Sequence, residues 1–459
     1  MSNTQSELVS SLPGSVIVRR RWLGWDLWEP AFRLLIVLIG VMLLIWSLHS
    51  GALFPALLGG IPRSVGNRFL RLMLSTSSAL FIGSLLWRTC LWFRYRPADS
   101  LRVGEWPAVT ILLPAYNEGE AIQSTIAAIA ASDYPAGKLK IIAVDDGSID
   151  DTYIHLCRAR ERYSDLMEVI RFKKNRGKRQ ALYQGFQRAG TPFVVTIDSD
   201  TCIDPRAIRE LLTPLLLDPG IGAATGRIRV LNRNANLWTR MLDTNFAMAF
   251  DFTRAIESTF RSVFCVSGAF SAYRTSILRR VIEPWLHQTF LGRPCSYGED
   301  RSLANFILRL GCGTVFQRTA VAHTLIPESF GRILKMLTRW ARSNIRESLV
   351  FSGLMFNHNR RGNYFWPFLE FVSTAVLLLL HLFWFYGLLL FGMTDGAFLQ
   401  RALASTILFG FLYMLYFIRI EGVKEVPYVL AFCLFCSPLM VGIFTVAGFT
   451  LTTRRWSTR

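Results

Sequence analysis

Two short acidic motifs carry the most recognisable chemistry in this sequence. Asp145 and Asp146 directly follow one apolar segment of strand length, and Asp198 and Asp200 directly follow another. Hard carboxylate oxygens at the spacing of Asp198 and Asp200 suit Mg²⁺ or Mn²⁺ that bridges a diphosphate. Either motif alone is more typical of a solvated turn. Occurring together and in order, the two motifs predict a site for a metal ion and a phosphorylated ligand.

A basic segment, residues 175–179, lies between the two acidic motifs and opens a predicted helix. Its cations, Lys178 among them, and the backbone N–H groups of the helix start favour binding of an anion. The segment alone is equally consistent with an ordinary basic helix start.

The elements that must position these groups follow from the apolar pattern. Continuous apolar runs at 109–113, 140–144 and 193–197 alternate with helical stretches at 121–131 and 179–189. Runs of this kind between helices predict a parallel sheet that is buried on both faces, in an α/β domain. Ligands of such sheets bind at the carboxyl ends of the strands. Each run here is followed by polar residues, so the predicted site lies at that edge.

The composition limits the class of protein. Of 459 residues, 51% are hydrophobic and 18% charged, and 51 Lys and Arg against 32 Asp and Glu give a formal net charge of +19. These values exclude a fully soluble protein and a disordered one. The charge favours nucleic acid, anionic lipid or anionic small molecules as partners. Because the acidic residues cluster at strand ends, we do not expect nucleic acid as a partner. The eight cysteines are scattered and imply no disulfide framework.

Apolar segments on both sides of the α/β region predict a membrane protein. The segments 31–54 and 72–93 precede it, and each is long enough to cross a hydrocarbon layer of ~30 Å. The segments 365–391 and 403–418 follow it, and Glu370 within the first is expected to face protein or an aqueous path rather than lipid. The distribution of arginines places the α/β region in the cytosol.

The last apolar segment, 426–451, is interrupted by Pro438. It either crosses the membrane or is re-entrant or interfacial. We favour the second interpretation because it keeps the arginines at 454, 455 and 459 in the cytosol.

These observations predict four parts of the chain. The segment 330–356 has the pattern of a basic amphipathic helix, which fits either a membrane surface or a core-facing helix of the catalytic domain. The parts are a leader with two transmembrane helices (1–96), a cytosolic α/β domain (97–329), amphipathic interface helices (330–364), and two further transmembrane helices with the re-entrant or interfacial segment and a cytosolic tail (365–459).

Five motifs occur in order along the chain. They read Val-Asp-Asp-Gly-Ser at 144–148, Asp-Ser-Asp at 198–200, Ser-Gly-Ala continuing to Tyr-Arg at 267–274, Gly-Glu-Asp-Arg at 298–301 and Arg-Trp-Ala-Arg-Ser at 339–343. With them, residues 105–459 resemble the processive glycosyltransferases of family 2, including the rhizobial chitin-oligosaccharide synthases. The stretch 287–294 and the tail 456–459 are similar to those of bacterial hyaluronan synthases.

This resemblance implies an α/β glycosyltransferase-A domain inserted between N-terminal and C-terminal transmembrane helices. Asp145 and Asp146 would contact a uridine nucleotide. Asp198 would face the diphosphate, and Asp200 would be the ligand of Mg²⁺ or Mn²⁺.

The resemblance also implies roles on the acceptor side. Asp300 would be the general base that deprotonates the acceptor hydroxyl, Arg339 would hold the departing diphosphate, and Trp340 would stack on the acceptor sugar. Trp456 would close the pocket over UDP, or serve only with the nearby arginines as a membrane-side anchor. Further substrate contacts fall to Lys178, Glu299 and Arg301.

Two positions depart from the family pattern. Where the family has Gln-x-x-Arg-Trp, this chain has Met336 in place of the glutamine. Where the family's tail reads Trp-Gly-Thr-Arg, this chain has Ser457 in place of the glycine. The first departure bears on the identity of the sugar or acceptor more than on the reaction type.

The function predicted from the sequence is polymerisation of a polysaccharide from UDP-sugars, with inversion, by a multi-pass protein of the cell membrane. The expected partners are UDP-sugars, the growing polysaccharide and the lipid bilayer, with no obligatory protein partner. A hyaluronan-like product made from UDP-GlcNAc and UDP-glucuronate is the first choice, and a chitin oligosaccharide or another β-linked capsule polymer is the alternative. An enzyme that glycosylates a lipid carrier without translocating a polymer is the alternative of another class.

Overall fold

The computed structural model describes residues 65–101, 105–354, 365–391 and 426–452, with a few isolated positions besides. The predicted segments 31–54 and 403–418 lie almost entirely outside these residues, and Trp456 lies outside them.

A mixed sheet of eight strands forms the centre of the fold. The strands β8 and β9 form a separate short pair. All strands in chain order are β1 (Val109–Ala115), β2 (Leu139–Asp145), β3 (Met167–Arg171), β4 (Phe193–Ile197), β5 (Thr201–Ile203), β6 (Ile221–Val230), β7 (Phe270–Arg274), β8 (Thr289–Phe290), β9 (Arg293–Pro294) and β10 (Gly313–Thr324).

The strand order is β3-β2-β1-β4-β7-β6-β10-β5. β1 runs parallel to β2 and β4, as the sequence predicts. β2 also runs parallel to β3, which lies outside the predicted runs. The other half departs from the predicted parallel sheet, because β7 is antiparallel to β4 and β6, and β5 is antiparallel to β10. The three strands that precede the polar motifs are therefore neighbours, with their carboxyl ends at one edge.

Helices cover both faces of the sheet and bracket it in the sequence. They are α1 (Val65–Arg94), α2 (Ile122–Ala130), α3 (Thr152–Arg162), α4 (Lys178–Arg188), α5 (Ala207–Leu217), α6 (Leu237–Ala247), α7 (Arg254–Ser258), α8 (Thr275–Leu286), α9 (Glu299–Arg309), α10 (Phe330–Leu354), α11 (Phe365–Phe391), α12 (Val426–Ala431) and α13 (Ser437–Phe449).

Side chains of β1 alternate between two hydrophobic cores. Ile111 and Leu113 belong to the larger core, whereas Leu112 between them belongs to the second. Successive side chains of a strand point to opposite faces of the sheet. Because helices cover both faces, the strand is apolar at every position instead of alternating with polar residues.

The end of α1 is attached to the sheet by an aromatic and basic contact. The hydroxyl of Tyr95 donates a hydrogen bond to the carbonyl oxygen of Phe316 at 2.8 Å. The guanidinium of Arg318 lies 4.9 Å from the ring centre of Tyr95 and 5.8 Å from that of Trp92. These contacts fix the direction in which α1 leaves the α/β domain.

A polar contact joins α1 to α11. Nη2 of Arg88 lies 2.7 Å from Oε1 of Glu370, and the hydroxyls of Ser84 and Ser373 are hydrogen-bonded at 2.5 Å. Glu370 is only 1% exposed, so it faces protein, which is one of the two surroundings that the sequence predicts.

The apolar face of α10 packs against the α/β core. Ile333, Met336 and Leu337 belong to the larger core together with Ile443 and Ala447 of α13. This packing corresponds to the core-facing alternative for the amphipathic helix.

Near the C-terminus, α12 continues as a π-helix, Phe432–Cys436. The combined helix Val426–Cys436 meets Leu439–Phe449 of α13 at a bend of 45°. Among the residues that the structure describes, no single helix is long and apolar enough to cross a membrane, whereas this bent pair is, by length and composition, when its halves are taken together.

Candidate active site

The loops after β1 and β2 are tied together at the sheet edge. The backbone N–H of Asp146 donates to the carbonyl of Ala115 at 2.8 Å. The N–H of Asn117 donates to Oγ of Ser148, and Oδ1 of Asn117 accepts from the N–H of Ile149, both at 3.0 Å. Asn117 is absent from the residues predicted as functional. Its place directly after a buried strand is the signal that points to it.

Gly147 allows the second loop to pass close to the basic segment. Its φ is +72°, and an added Cβ would lie 2.4 Å from the backbone carbonyl carbon of Lys174. No side chain fits there without moving the backbone, and a positive φ disfavours other residues. The glycine therefore brings the acidic motif and the basic segment together.

Asp145 and Asp146 are both buried and face different partners. Oδ1 of Asp145 accepts from the N–H of Ser148 at 3.0 Å, and Oδ2 lies 3.4 Å from Nε of Arg171. Oδ1 and Oδ2 of Asp146 accept from the N–H groups of Arg176 and Gly177 at 2.7 and 2.8 Å. The helix-start N–H groups predicted to bind an anionic ligand are thus occupied by the carboxylate of Asp146.

Burial raises the pKa of Asp146, and the two backbone hydrogen bonds oppose this effect. The N–H groups at 176–177 therefore replace the water that burial removes from this carboxylate.

Lys178, the first residue of α4, lies between two acidic motifs. Its Nζ donates to Oδ1 of Asp198 at 2.5 Å and lies 3.4 Å from Oε1 of Glu299. Burial acts to lower the pKa of Lys178, but the charges of Asp198 and Glu299, with Asp300 beyond them, outweigh burial and raise it. The ammonium is therefore charged, and it connects motifs that lie far apart in the sequence.

The Ser-Gly-Ala motif before β7 borders the same ion pair. A Cβ added to Gly268 would lie 3.1 Å from Nζ of Lys178 and 3.8 Å from Oδ1 of Asp198. The small residue leaves room for this contact.

Asp200 lies two positions after Asp198 and directly before β5. Its Oδ1 accepts from Oγ1 of Thr324 at 3.2 Å, and its carbonyl accepts from the N–H of Leu325 at 3.1 Å. Between the two aspartates, Oγ of Ser199 donates to Oε1 of Glu118 at 2.7 Å. These contacts attach the acidic motif to the ends of β10 and β1.

Glu299 and Asp300 begin α9. Burial acts to raise the pKa of Glu299, but Lys178 foremost, and Arg339 among the other groups, outweigh it and lower the pKa. Oδ1 of Asp300 accepts from the N–H of Arg301 at 2.8 Å, and Oδ2 accepts from Sγ of Cys265 at 3.2 Å. The structure thus brings Lys178, Asp198, Glu299 and Asp300 into one cluster, with Arg339 close enough to act on Glu299.

One face of α10 lies against the start of α9. Ser343 and Arg346 are buried and are spaced four and seven residues after Arg339, which places the three on one helix face. The guanidinium of Arg346 donates to the carbonyl oxygen of Tyr297. This polar stripe connects the Arg-Trp motif with the Gly-Glu-Asp-Arg motif.

The neighbouring residues of the Arg-Trp motif have different surroundings. Trp340 is 37% exposed, and its ring centre lies 5.7 Å from that of Phe246. Met336 is 6% exposed within the larger core, so its apolar side chain suits the position at which the family has glutamine.

A buried polar network supports α9 from behind. Arg179 donates to Oε1 of Gln288 at 3.2 Å and to Oγ of Ser302 at 3.0 Å. Gln288 and Asn305 donate to the carboxylate of Glu347, at 3.3 and 3.1 Å. Gln288 belongs to the 287–294 stretch, so this part of the resemblance has a structural explanation that sequence reasoning does not supply.

The fold has a counterpart of known structure. A mannosyltransferase from Pyrobaculum calidifontis, solved in complex with GDP-Man and Mn²⁺, superposes with a TM-score of 0.55 at 20% sequence identity, covering 84% of this chain and 99% of that one. At this identity the likeness concerns the fold alone. It supports the α/β glycosyltransferase-A fold that the sequence predicts.

The sequence model of the glycosyltransferase-like family 2 matches residues 107–343, just over half of the 459 residues. The chain therefore belongs to this family of glycosyltransferases.

Two curated relatives illustrate the range of the family. An N-acetylglucosaminyltransferase of Neorhizobium galegae is 34% identical over 255 residues, which cover 55% of this chain and 58% of the relative. A hyaluronan synthase of Streptococcus pyogenes is 37% identical over 247 residues, which cover 53% and 58%. The chain thus spans somewhat more than half the length of the curated relatives that it matches.

The contact between Gly298 and α10 predicts a sharp effect of Gly298→Ala. The φ of Gly298 is +76°, and an added Cβ would lie 2.0 Å from Oγ of Ser343. We expect sugar transfer to fall by about tenfold or more, because the start of α9 must move away from α10. Steady-state assays and thermal unfolding measure the two consequences.

Gly137→Ala is the matched control, since Gly137 has a φ of +74° and nothing within 4 Å of an added Cβ. It carries the backbone strain without the collision. Equal effects of the two substitutions would contradict the importance of the contact between α9 and α10.

Proposed function

We propose that this protein is a membrane-embedded, processive polysaccharide synthase that transfers sugars from UDP-sugars with inversion. The observation that carries the proposal is the position of Lys178. Its ammonium contacts Asp198 of the Asp-x-Asp motif and Glu299 beside Asp300. The residues assigned to the departing diphosphate and the residue assigned to the acceptor hydroxyl therefore lie around one cation.

On the donor side, Asp145 and Asp146 are the residues assigned to the uridine nucleotide. Asp145 ends β2 and Asp146 follows it, both are buried, and Asp146 is held by the backbone at 176–177. The charged Lys178, together with Arg339, would attract the diphosphate and stabilise the negative charge that develops on it.

A divalent cation fits the donor set at the exit of β4. Asp198 and Asp200 supply hard oxygen ligands, of the kind that Mg²⁺ and Mn²⁺ prefer. Among the described residues, no group of three or more His, Cys, Asp or Glu side chains is arranged to hold a metal ion. Phosphate oxygens of the donor would complete the ligand set, as is usual for Mg²⁺. When bound, the cation supplies neutralisation of the departing diphosphate.

Loss of the second carboxylate tests the metal assignment. Asp200→Asn should reduce UDP release by at least about 10²-fold, because the cation loses an anionic ligand, and an excess of chelator should do the same to the unmodified protein. Asp204→Asn is the control, since Asp204 lies at the other end of β5 and its Oδ1 contacts Nε2 of His323 at 3.2 Å. Full activity in excess chelator would contradict the assignment.

On the acceptor side, Asp300 would remove the proton of the acceptor hydroxyl as its oxygen attacks the anomeric carbon. The bond between that carbon and the diphosphate breaks on the opposite face, and UDP leaves. Arg339 would hold the diphosphate as it departs, and the exposed ring of Trp340 offers a surface for the acceptor sugar. Arg301, at the same helix start, is available for a further substrate contact.

Asp300→Asn separates binding from chemistry. We expect kcat to fall on the order of 10²-fold or more, while the affinity for the UDP-sugar stays within a few-fold, because the amide keeps the shape but not the basicity. Single-turnover kinetics and UDP-sugar binding by calorimetry measure the two quantities. If nucleotide binding is lost in proportion, Asp300 has a structural role instead.

For the product, we propose a hyaluronan-like polymer that is secreted through the protein's own helices. The 287–301 stretch and the relative from Streptococcus pyogenes support this choice. The bent helix pair at the C-terminus supports a membrane location. The relatives named N-acetylglucosaminyltransferase favour a chitin oligosaccharide as the second candidate.

The donor requirement distinguishes the two products. With purified protein, Mg²⁺ and radiolabelled donors, long polymer should form only when UDP-GlcNAc and UDP-glucuronate are both present, as measured by size-exclusion chromatography. The Asp300→Asn protein serves as the inactive control. Polymer formed from UDP-GlcNAc alone would move the assignment to the chitin class.

A further inference from the structure

The side chain of Cys265 contacts the carboxylate of Asp300. It is located between α7 and β7 and is 6% exposed. Its Sγ is 3.2 Å from Oδ2 of Asp300, while the N–H of Arg301 donates to Oδ1 at 2.8 Å. Each carboxylate oxygen therefore accepts one hydrogen bond from the protein.

The thiol is the donor in this contact. Burial, reinforced by the negative charge of Asp300, raises the pKa of Cys265 to about 12. The sulfur therefore retains its proton at neutral pH and is a poor nucleophile. Cys265 forms no disulfide, in agreement with the sequence-based prediction that the eight cysteines imply no disulfide framework.

The backbone before Cys265 is also fixed. Oε2 of Glu257 accepts from the N–H of Phe264 at 3.3 Å and from Nη1 of Arg254 at 2.9 Å. Arg254 and Glu257 are both buried. The buried ion pair therefore holds the segment that presents the thiol.

We propose that Cys265 is a positioning residue for Asp300, and that its S–H···O hydrogen bond sets the orientation of the carboxylate toward the acceptor hydroxyl. This inference rests on the proposed role of Asp300 as the general base. The sequence motifs do not include Cys265, which lies two positions before the first residue of the Ser-Gly-Ala motif.

A thiol suits this role because it is a weak hydrogen-bond donor. A strong donor would stabilise the ionised carboxylate and reduce its tendency to accept a proton. The thiol restricts rotation of the carboxylate while leaving more of its basicity. The S–H group of Cys265 replaces part of the hydration that burial removes from Oδ2 of Asp300.

The charged and titratable groups around this pair bear on any measurement of pH dependence. Lys178 of α4, Arg254 of α7, Tyr273 of β7 and Arg301 of α9 all interact electrostatically with Asp300 or Cys265, and Glu299 precedes Asp300 on α9. Burial and Asp300 raise the pKa of Tyr273, so it stays neutral. These groups are the same in the unmodified protein and in the Cys265 variants, so a difference between their pH profiles reports the change at Cys265.

The test compares Cys265→Ala and Cys265→Ser, with Cys312→Ala as the control. Cys312 packs on the second core, away from Asp300. UDP release is measured over a pH series with saturating and limiting UDP-sugar. For Cys265→Ala we expect kcat to fall about five- to tenfold with KM within about twofold, since one hydrogen bond to the base is lost.

The acidic limb of the pH profile of kcat for Cys265→Ala should move to higher pH, by roughly 0.3–0.5 unit, because the ionised carboxylate loses a donor. Cys265→Ser, whose hydroxyl also donates, should return the limb to or below its original position and restore most of kcat. Cys312→Ala should match the unmodified protein in both respects.

Three outcomes would overturn the proposal. The first is a Cys265→Ala protein with unchanged kcat and an unmoved acidic limb. The second is equal loss of activity in the Ala and Ser proteins with an unmoved limb, which indicates packing alone. In both cases Asp300→Asn is still inactive, so the proposed base is retained. The third is full turnover by Asp300→Asn, which overturns the role of Asp300 and the inference about Cys265 with it.

Discussion

The contact on which the site depends is the partly buried ammonium of Lys178 between Asp198 and Glu299. An uncompensated buried charge costs several kcal/mol, and here burial acts against the charged lysine. The charges of Asp198 and Glu299, with Asp300 beyond them, offset that cost. Lys178 begins α4, Asp198 follows β4 and Glu299 begins α9, so these elements must meet for any one of the three charges to be stable. An anionic ligand that enters this region meets a cation whose position is already fixed.

The same principle explains why carboxylates with similar sequence contexts differ in the structure. Asp146 is surrounded by backbone N–H groups and accepts from Arg176 and Gly177, whereas Asp198 shares a full positive charge with Lys178. The first arrangement compensates a buried carboxylate and holds a loop, whereas the second pairs a partly exposed carboxylate with a cation. The backbone thus fixes the position of Asp146, whereas the position of Asp198 depends on a charged side chain.

The sequence predicts the part of the fold that depends on local pattern. Apolar runs give β1, β2 and β4, and polar residues after them give the edge at which Asp145 and Asp198 lie. The antiparallel direction of β7 could not be predicted, because it depends on pairing with β4 across a separation of more than seventy residues. The hydrogen bonds from the helix-start N–H groups to Asp146 could not be predicted either. These N–H groups donate equally well to an anionic ligand and to a buried carboxylate. The amphipathic pattern of α10 suits a membrane surface and a core alike, and only the packing of Met336 and Leu337 distinguishes them.

The helix α10 shows how one segment can serve packing and chemistry together. One stripe of its surface, including Ile333 and Leu337, lies in the larger core with residues of α13. Another stripe, through Ser343 and Arg346, lies against Gly298 at the start of α9. Because both stripes are buried, α13 and the start of α9, which carries Glu299 and Asp300, pack against the same helix. Close packing on two sides therefore restricts the positions that α10 can take relative to the core and to α9.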